Sequence, residues 1–289
     1  MTTTRLLAAA TGAITLLLAL PAAACPSVGE IKAFVEAWEA KRPTPALGQV
    51  ENTAEAYCGQ KLLVEQLGST LGKVVGYKAG LTAKPVQERF GATEPARGVL
   101  LEGMLLKDGA TVPAGFGARP VWEADMVLVV KDAAINTAKT PEEALKHISG
   151  MVPFIELPDL AVGSNVKLDG RQLTAINVAA RYGVLGAEVP LPPTPETLKA
   201  LETMKVVARD DAGATVAEST GAAVLGHPMN VVLWLVENLN AEGIKLKAGD
   251  LLSLGSFSPL TPPKSGQSFT VSYEGLPGAA TPKVRVTFQ

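Results

Sequence analysis

Two acids interrupt an otherwise apolar stretch over residues 121–130, Val121-Trp122-Glu123-Ala124-Asp125-Met126-Val127-Leu128-Val129-Val130. The stretch reads as a β-strand, and side chains alternate faces along a strand. Trp122, Ala124, Met126, Leu128 and Val130 then form one apolar face, while Glu123 and Asp125 share the other with Val121, Val127 and Val129. Residues two apart on a strand lie roughly 6–7 Å from one another. Two desolvated carboxylates at that spacing need a proton or a cation between them, and a divalent ion held by oxygen ligands meets the need. A half-exposed strand whose acids face water is the competing reading. A third acid, Glu156, sits alone in Met151-Val152-Pro153-Phe154-Ile155-Glu156-Leu157. Pro153 places this second strand at an edge or a strand start. Burying an unpaired carboxylate is costly, so Glu156 either joins Glu123 and Asp125 at one ion or pairs with an Arg or Lys.

Lys78 is flanked by Gly76, Tyr77 and Gly80, where backbone can approach a ligand closely. Such a lysine can orient an anionic substrate or act as a base if its pKa falls; a surface lysine at a strand end is the alternative. His147 and His227 are the only histidines. His227, between Gly226 and Pro228 at a helix start, either caps the helix or meets an anion there. No G-x-S-x-G, P-loop or G-x-G-x-x-G occurs, which argues against an α/β-hydrolase and against nucleotide cofactors. A net charge of -2 with no basic block, and 5% aromatic residues, argue against a nucleic-acid partner.

The elements that must carry these residues follow from periodicity and punctuation. Helical spacing covers 28–40 and 53–67, and the first of these is closed by Pro43 and Pro45. A short strand over 73–80 follows, then a helical turn at 85–90 and an extended run over 99–106. Thr140-Pro141-Glu142-Glu143 reads as a capping box opening a helix to about 148. A hairpin turns at Asp211-Ala212-Gly213, a helix starts at Pro228, and strands close the chain. The N-terminus reads as a targeting segment: Arg5, an apolar run over 6–20, and Ala22-Ala23-Ala24 before a chain starting at Cys25. Export to the periplasm is the expectation, with membrane contact only through that segment; a retained anchor and a lipoprotein compete. Cys25 and Cys58 are then disulfide candidates, closing a loop worth roughly 3–4 kcal/mol, against two unpaired thiols.

Taken in order, several segments resemble one family. Gly76-Tyr77-Lys78-Ala79-Gly80-Leu81-Thr82 is similar to the G-Y-K-x-G-L-T segment of 2-keto-4-pentenoate hydratases, within the fumarylacetoacetate hydrolase superfamily. Pro95 and Gly98 match its Q-P-D-F-G turn, Glu123-Ala124-Asp125 its E-x-E metal strand, and Pro153-x-x-Glu156 the strand of its third acid. Asn177 matches the Asn of A-D-N-A-S, Leu225-Gly226-His227-Pro228-x-Asn230 matches L-G-H-P-x-N, and Ala248-Gly249-Asp250 matches a T-G-D turn. The resemblance implies an α+β fold, a mixed β-sandwich roll with a helical N-terminal part. It divides the chain into a signal peptide (1–24), a helical segment (25–72) and a catalytic domain (73–289). It implies a homo-oligomeric hydro-lyase that adds water to a 2-hydroxydienoate or 2-oxo-alkenoate acid. Mg²⁺ or Mn²⁺ would sit on Glu123, Asp125 and Glu156, Lys78 would be catalytic, and Tyr77, Asn177 and His227 would bind substrate; Arg97 and Arg181, arginines gained beside the family motifs, are read as further substrate-binding residues that suit a more anionic substrate. A C–C hydrolase or decarboxylase on the same site, or a non-catalytic oxo-acid binder, are the alternatives. Ala96, Arg97, Ile176 and Ala179 depart from the family pattern, losing acids and gaining an arginine.

Overall fold

The computed structural model describes residues 25–278 and 280–289; the expected signal segment lies outside them. Two helices open the described chain, α1 (Val28–Glu39) and α2 (Thr53–Leu71). Ser27 and Glu30 close a full capping box on α1, and Asn52 caps α2. Ile31, Phe34, Val35 and Trp38 make the buried stripe of α1, as the spacing predicts. A disulfide joins Cys25 to Cys58, tying the start of α1 to the body of α2.

The acid strand lies in a mixed eight-stranded sheet. Its main path runs β2 (Ala96–Leu101), β1 (Val74–Gly80), β11 (Leu251–Ser253), β5 (Glu123–Val130), β6 (Ile148–Leu157), β7 (Tyr182–Leu185) and β3 (Leu105–Lys107), and a short β8 (Val189–Pro190) pairs β6. A five-stranded sheet of β10 (Thr215–Thr220), β9 (Lys205–Asp210), β12 (Ser268–Glu274), β13 (Lys283–Phe288) and β4 (Ala110–Val112) packs against it. The architecture is the expected α+β one. The apolar face read from the sequence is present: Trp122, Ala124, Met126, Leu128 and Val130 join Phe269, Val271 and Tyr273 of the second sheet in one core. Helix α7 (Pro228–Ala241) packs into that core through Met229, Val232 and Leu235. The opposite face of the sheet carries the acids, and Leu81, Phe90, Leu160 and Leu173 near it belong to a second core built on α1 and α2.

One boundary differs. The helix capped by Thr140 ends at Leu145 and β6 starts at Ile148, so the strand takes the three residues before Met151. Pro153 is accommodated opposite Met126 within the β5–β6 ladder; β6 is therefore an interior strand that contains a proline.

Candidate active site

The β5–β6 register sets the first contact. Glu123 pairs directly with Glu156 across the antiparallel ladder, so both side chains leave the same face of adjacent strands. Lys78 of β1 reaches the same point, donating to Glu156 Oε1 and, at 3.0 Å, to the carbonyl of Val178. The three side chains are buried. Glu156 Oε2 is buried with no hydrogen-bond partner. The competing reading of Glu156, a partner lysine, is thus present in the structure as Lys78, and the pair still leaves one carboxylate oxygen open.

Two features admit Lys78 to this place. Gly98 of β2 lies opposite it in the ladder, and a Cβ there would sit 2.8 Å from the Lys78 stem. Asn177, Val178 and Ala179 form a single left-handed turn, with φ of 59°, 50° and 57°. Consecutive non-glycine residues in that region are strained. The turn is held by Asn177, whose side chain accepts from Val99 N at 2.7 Å and donates to Val99 O at 2.9 Å, and it aims the Val178 carbonyl at Lys78.

Asp125 behaves differently. One oxygen accepts from the backbone N–H of Met126, Leu254 and Gly255, and the other from Ser253 Oγ at 2.5 Å. Its carboxylate is hydrogen-bonded to the end of β11 while still close enough to Glu156 to feel its charge. Among the described residues no group of three His, Cys, Asp or Glu side chains is gathered so as to hold a metal ion. Of the three expected ligands, Glu123 and Glu156 pair across the ladder, and Asp125 is hydrogen-bonded to the segment over 253–255. Gly255, at φ 96°, lies where a Cβ would run into Thr82 Oγ1, so the anchored backbone packs directly on the β1 end.

The electrostatics follow from burial. Desolvation pushes the Glu123 carboxyl well above its usual range, and the neighbouring Glu156 raises it further, against the opposing pull of Lys78. Desolvation and Glu156 also push Asp125 from 3.8 up to about 8, despite the lowering effect of its Ser253 and Met126 hydrogen bonds. Three buried acids share one lysine, and burial keeps Glu123 and Asp125 from ionising until a positive group compensates them. Oxygen donors and an orphaned carboxylate oxygen suit a hard divalent cation. Glu123 and Glu156 fit it as the residues that would hold it.

A cavity of about 410 Å³ opens beside Lys78 and Glu123. Ser256 and Ser258 line it from the segment after β11, and Ser258 Oγ accepts from Ala124 N at 2.8 Å.

The expected substrate residues do not line this cavity. Tyr77 leaves β1 on the face opposite Lys78, packed against the core under α7. Arg97 stacks on Tyr57, 4.5 Å from the ring centre, and pairs with Glu242 at 3.0 Å. Arg181 stacks on Trp38 at 4.0 Å and pairs with Asp159 at 3.1 Å, both buried. His227 is the N-cap of α7: Nδ1 accepts from Met229 N at 3.0 Å and Nε2 lies 3.0 Å from the Leu198 carbonyl. Asn177 supports the site only through the turn it holds. Arg97, Asn177, Arg181 and His227 each have structural partners for their polar groups at least in part, and Tyr77 packs its ring against the core.

Sequence reasoning missed Ser253, Tyr273 and Asp159. The Tyr273 hydroxyl from the second sheet donates to the Asp125 carbonyl and accepts from Phe154 N at 3.2 Å, bracing both acid strands from behind. Burial holds that hydroxyl protonated far above the ordinary tyrosine range. Asp159 accepts from Ala118, Arg119 and Ala161 N–H groups and fixes the loop that feeds β5. Pro158-Asp159 directly after an apolar strand was the available signal for the last.

A fumarylacetoacetate hydrolase C-terminal family model matches residues 79–285. The chain belongs to that family. It is 29% identical over 232 residues to a 2-keto-4-pentenoate hydratase of Paraburkholderia xenovorans, covering 80% of this chain and 83% of the relative. It is 33% identical over 205 residues to 2-keto-4-pentenoate hydratase 2 of Dechloromonas aromatica, covering 71% and 76%. The solved 4-oxalocrotonate decarboxylase from Pseudomonas putida G7, complexed with magnesium and adipate, superposes with a TM-score of 0.77 at 24% identity, over 90% of this chain and 96% of that one; at that identity it bears on the fold. The relatives named hydratases are enzymes, as the resemblance implied. They also correct the expectation of export, since the relatives that carry the likeness are named as 2-keto-4-pentenoate and 2-hydroxyhexa-2,4-dienoate hydratases and not as exported proteins. No described helix is long and apolar enough to cross a membrane.

Proposed function

We propose that the protein is a divalent-metal-dependent hydro-lyase that adds water to a 2-hydroxydienoate or 2-oxo-alkenoate acid. The observation that carries this reading is the Glu123–Glu156 pair beside Lys78, open to a cavity and short of positive charge. Mg²⁺ or Mn²⁺ on Glu123 and Glu156 would supply Lewis-acid stabilisation of enolate charge. Lys78 binds and orients the carboxylate end of the substrate, and its link to Glu156 and the Val178 carbonyl fixes the direction of its remaining N–H. Ser256 and Ser258 offer hydroxyls on the opposite wall for the oxo or hydroxyl group. Asp125 acts as a positioning residue, holding residues 253–255 so that those serines face Lys78. A homo-oligomer is the proposed assembly, read by light scattering.

The test is loss of the ultraviolet absorbance of a 2-hydroxydienoate on incubation with the protein and magnesium, abolished by chelator and by Glu123→Gln. Pyruvate or CO₂ among the products identifies instead the C–C hydrolase or the decarboxylase. No reaction across a panel of dienoates contradicts the proposal.

A further inference from the structure

The cavity beside Lys78 combines a polar end with a mainly apolar wall, to which Thr82, Ser258 and the exposed Arg89 add polar groups. Lys78, Glu123 and Ser256 mark the polar end. Away from them the lining includes Val86, Phe90, Leu160, Leu173 and Leu260. Phe90, Leu160 and Leu173 are buried members of the core that α1 and α2 complete, and Val86 and Leu260 pack against it. This wall is therefore the exposed edge of a packed core and is held in place by it. The cavity volume of about 410 Å³ falls within the range of about 300–1,000 Å³ typical of small-molecule pockets.

Charge decides what can lie along the wall. Lys78 is already engaged by Glu156 and the Val178 carbonyl. Among the described lining residues the other cation is Arg89, which is exposed and lies 5.6 Å from the Phe90 ring centre. A second carboxylate placed among Phe90, Leu160 and Leu173 would lose its water without gaining a buried partner, at high cost. A hydrocarbon chain there gains from burial instead.

We infer that this cavity selects 2-oxo acids carrying an uncharged hydrocarbon tail of several carbons, with Val86, Phe90, Leu160, Leu173 and Leu260 as the tail subsite. The inference rests on the reading of the Lys78 end as the oxo-acid end.

Calorimetry with saturated acids, which bind without hydration, tests it apart from turnover. The probes are 2-oxopentanoate, 2-oxooctanoate and the diacid 2-oxohexanedioate, each titrated into the full chain with magnesium chloride present. Burial of each added methylene tightens binding roughly fourfold, so 2-oxooctanoate should bind on the order of 50-fold tighter than 2-oxopentanoate. Val86→Ser and Leu260→Ser, both at half-buried positions, should each reduce that ratio several-fold. Equal affinity for the short and long acids overturns the inference, as does a preference for the diacid. Tight binding of long acids together with no hydration of any dienoate would leave the tail subsite standing and remove the hydratase reading. Hydration of 2-hydroxypentadienoate with no dependence of affinity on chain length would do the reverse.

Discussion

Two sets of buried charges in this molecule follow opposite rules. Away from the acid face, two buried arginines each have an acid and an aromatic platform: Arg97 has the exposed Glu242 and Tyr57, and Arg181 has the buried Asp159 and Trp38. On the acid face of the large sheet, Lys78 meets Glu156 with Glu123 directly across and Asp125 two residues along. The first set is balanced and touches no large cavity. The second has three acids to one lysine and opens onto the cavity. Paired charges hold the structure in register; in the unbalanced cluster burial opposes ionisation of Glu123 and Asp125, the mark of a functional site. That contrast separates the functional residues from the structural ones better than motif membership does, since both sets lie in family motifs.

The largest effects should fall on turnover at the unbalanced cluster. Glu123→Gln and Lys78→Met should each lower kcat/KM for a 2-hydroxydienoate on the order of 10³-fold, within the range for loss of a positioned proton-transfer or orienting group. The two should diverge in stability. Lys78→Met leaves Glu156 buried and unpaired, whereas Glu123→Gln removes a carboxyl whose ionisation burial opposes, so urea unfolding without metal at alkaline pH should show a loss in the first and a gain in the second.

On the balanced side, Arg181→Met should cost about 3–5 kcal/mol of stability by stranding Asp159, with kcat of the folded protein unchanged. Denaturant melts paired with kinetics at low temperature read both quantities. A kcat that falls as far as the stability would erase the distinction between the two sets.

How far the sequence shows this division depends on the kind of signal. The acids were legible because carboxylates in apolar strands conflict with burial, and the strand period placed Glu123 and Asp125 on one face. The β-hairpin around residues 211–213, the cap of α7 and the apolar face of β5 were legible for similar local reasons. What local spacing does not carry is which way a side chain turns once its strand is paired. Asp125 shares a face with Glu123, yet the end of β11, 128 residues away, supplies donors that capture it. Tyr77 and Lys78 are adjacent and so point to opposite faces, which the motif reading merged. Arg97 and Arg181 found partners on α7, α2 and α1 that no sequence window joins. The left-handed turn over 177–179 has no glycine to announce it.

Protonation offers a third probe. Burial, with Glu156 beside it, pushes the Asp125 carboxyl from 3.8 up to about 8, and burial shifts Glu123 in the same direction. The folded state therefore binds protons more tightly than the unfolded one. Its stability is greatest below the free-acid range and declines as pH rises through the folded values. In chelator, Tm should fall between about pH 4 and pH 8, and magnesium should flatten the upper part of that slope. Arg181→Met should keep the slope and Glu123→Gln should weaken it.

The smallest effect belongs to His227. Its ring caps α7 and faces Leu198, away from the cavity. His227→Ala should cost about 0.5–2 kcal/mol, as loss of a cap does, with KM unchanged. A raised KM would restore it to the substrate site.

The account turns on whether the unbalanced cluster is a cation site. Titration of Mn²⁺ into the purified, chelator-stripped protein, followed by electron paramagnetic resonance of the free ion, measures this without substrate. The account predicts one bound ion per chain, lost in Glu123→Gln and retained in His227→Ala and Arg181→Met. No bound Mn²⁺ in the unaltered protein, or binding that survives Glu123→Gln undiminished, would contradict it.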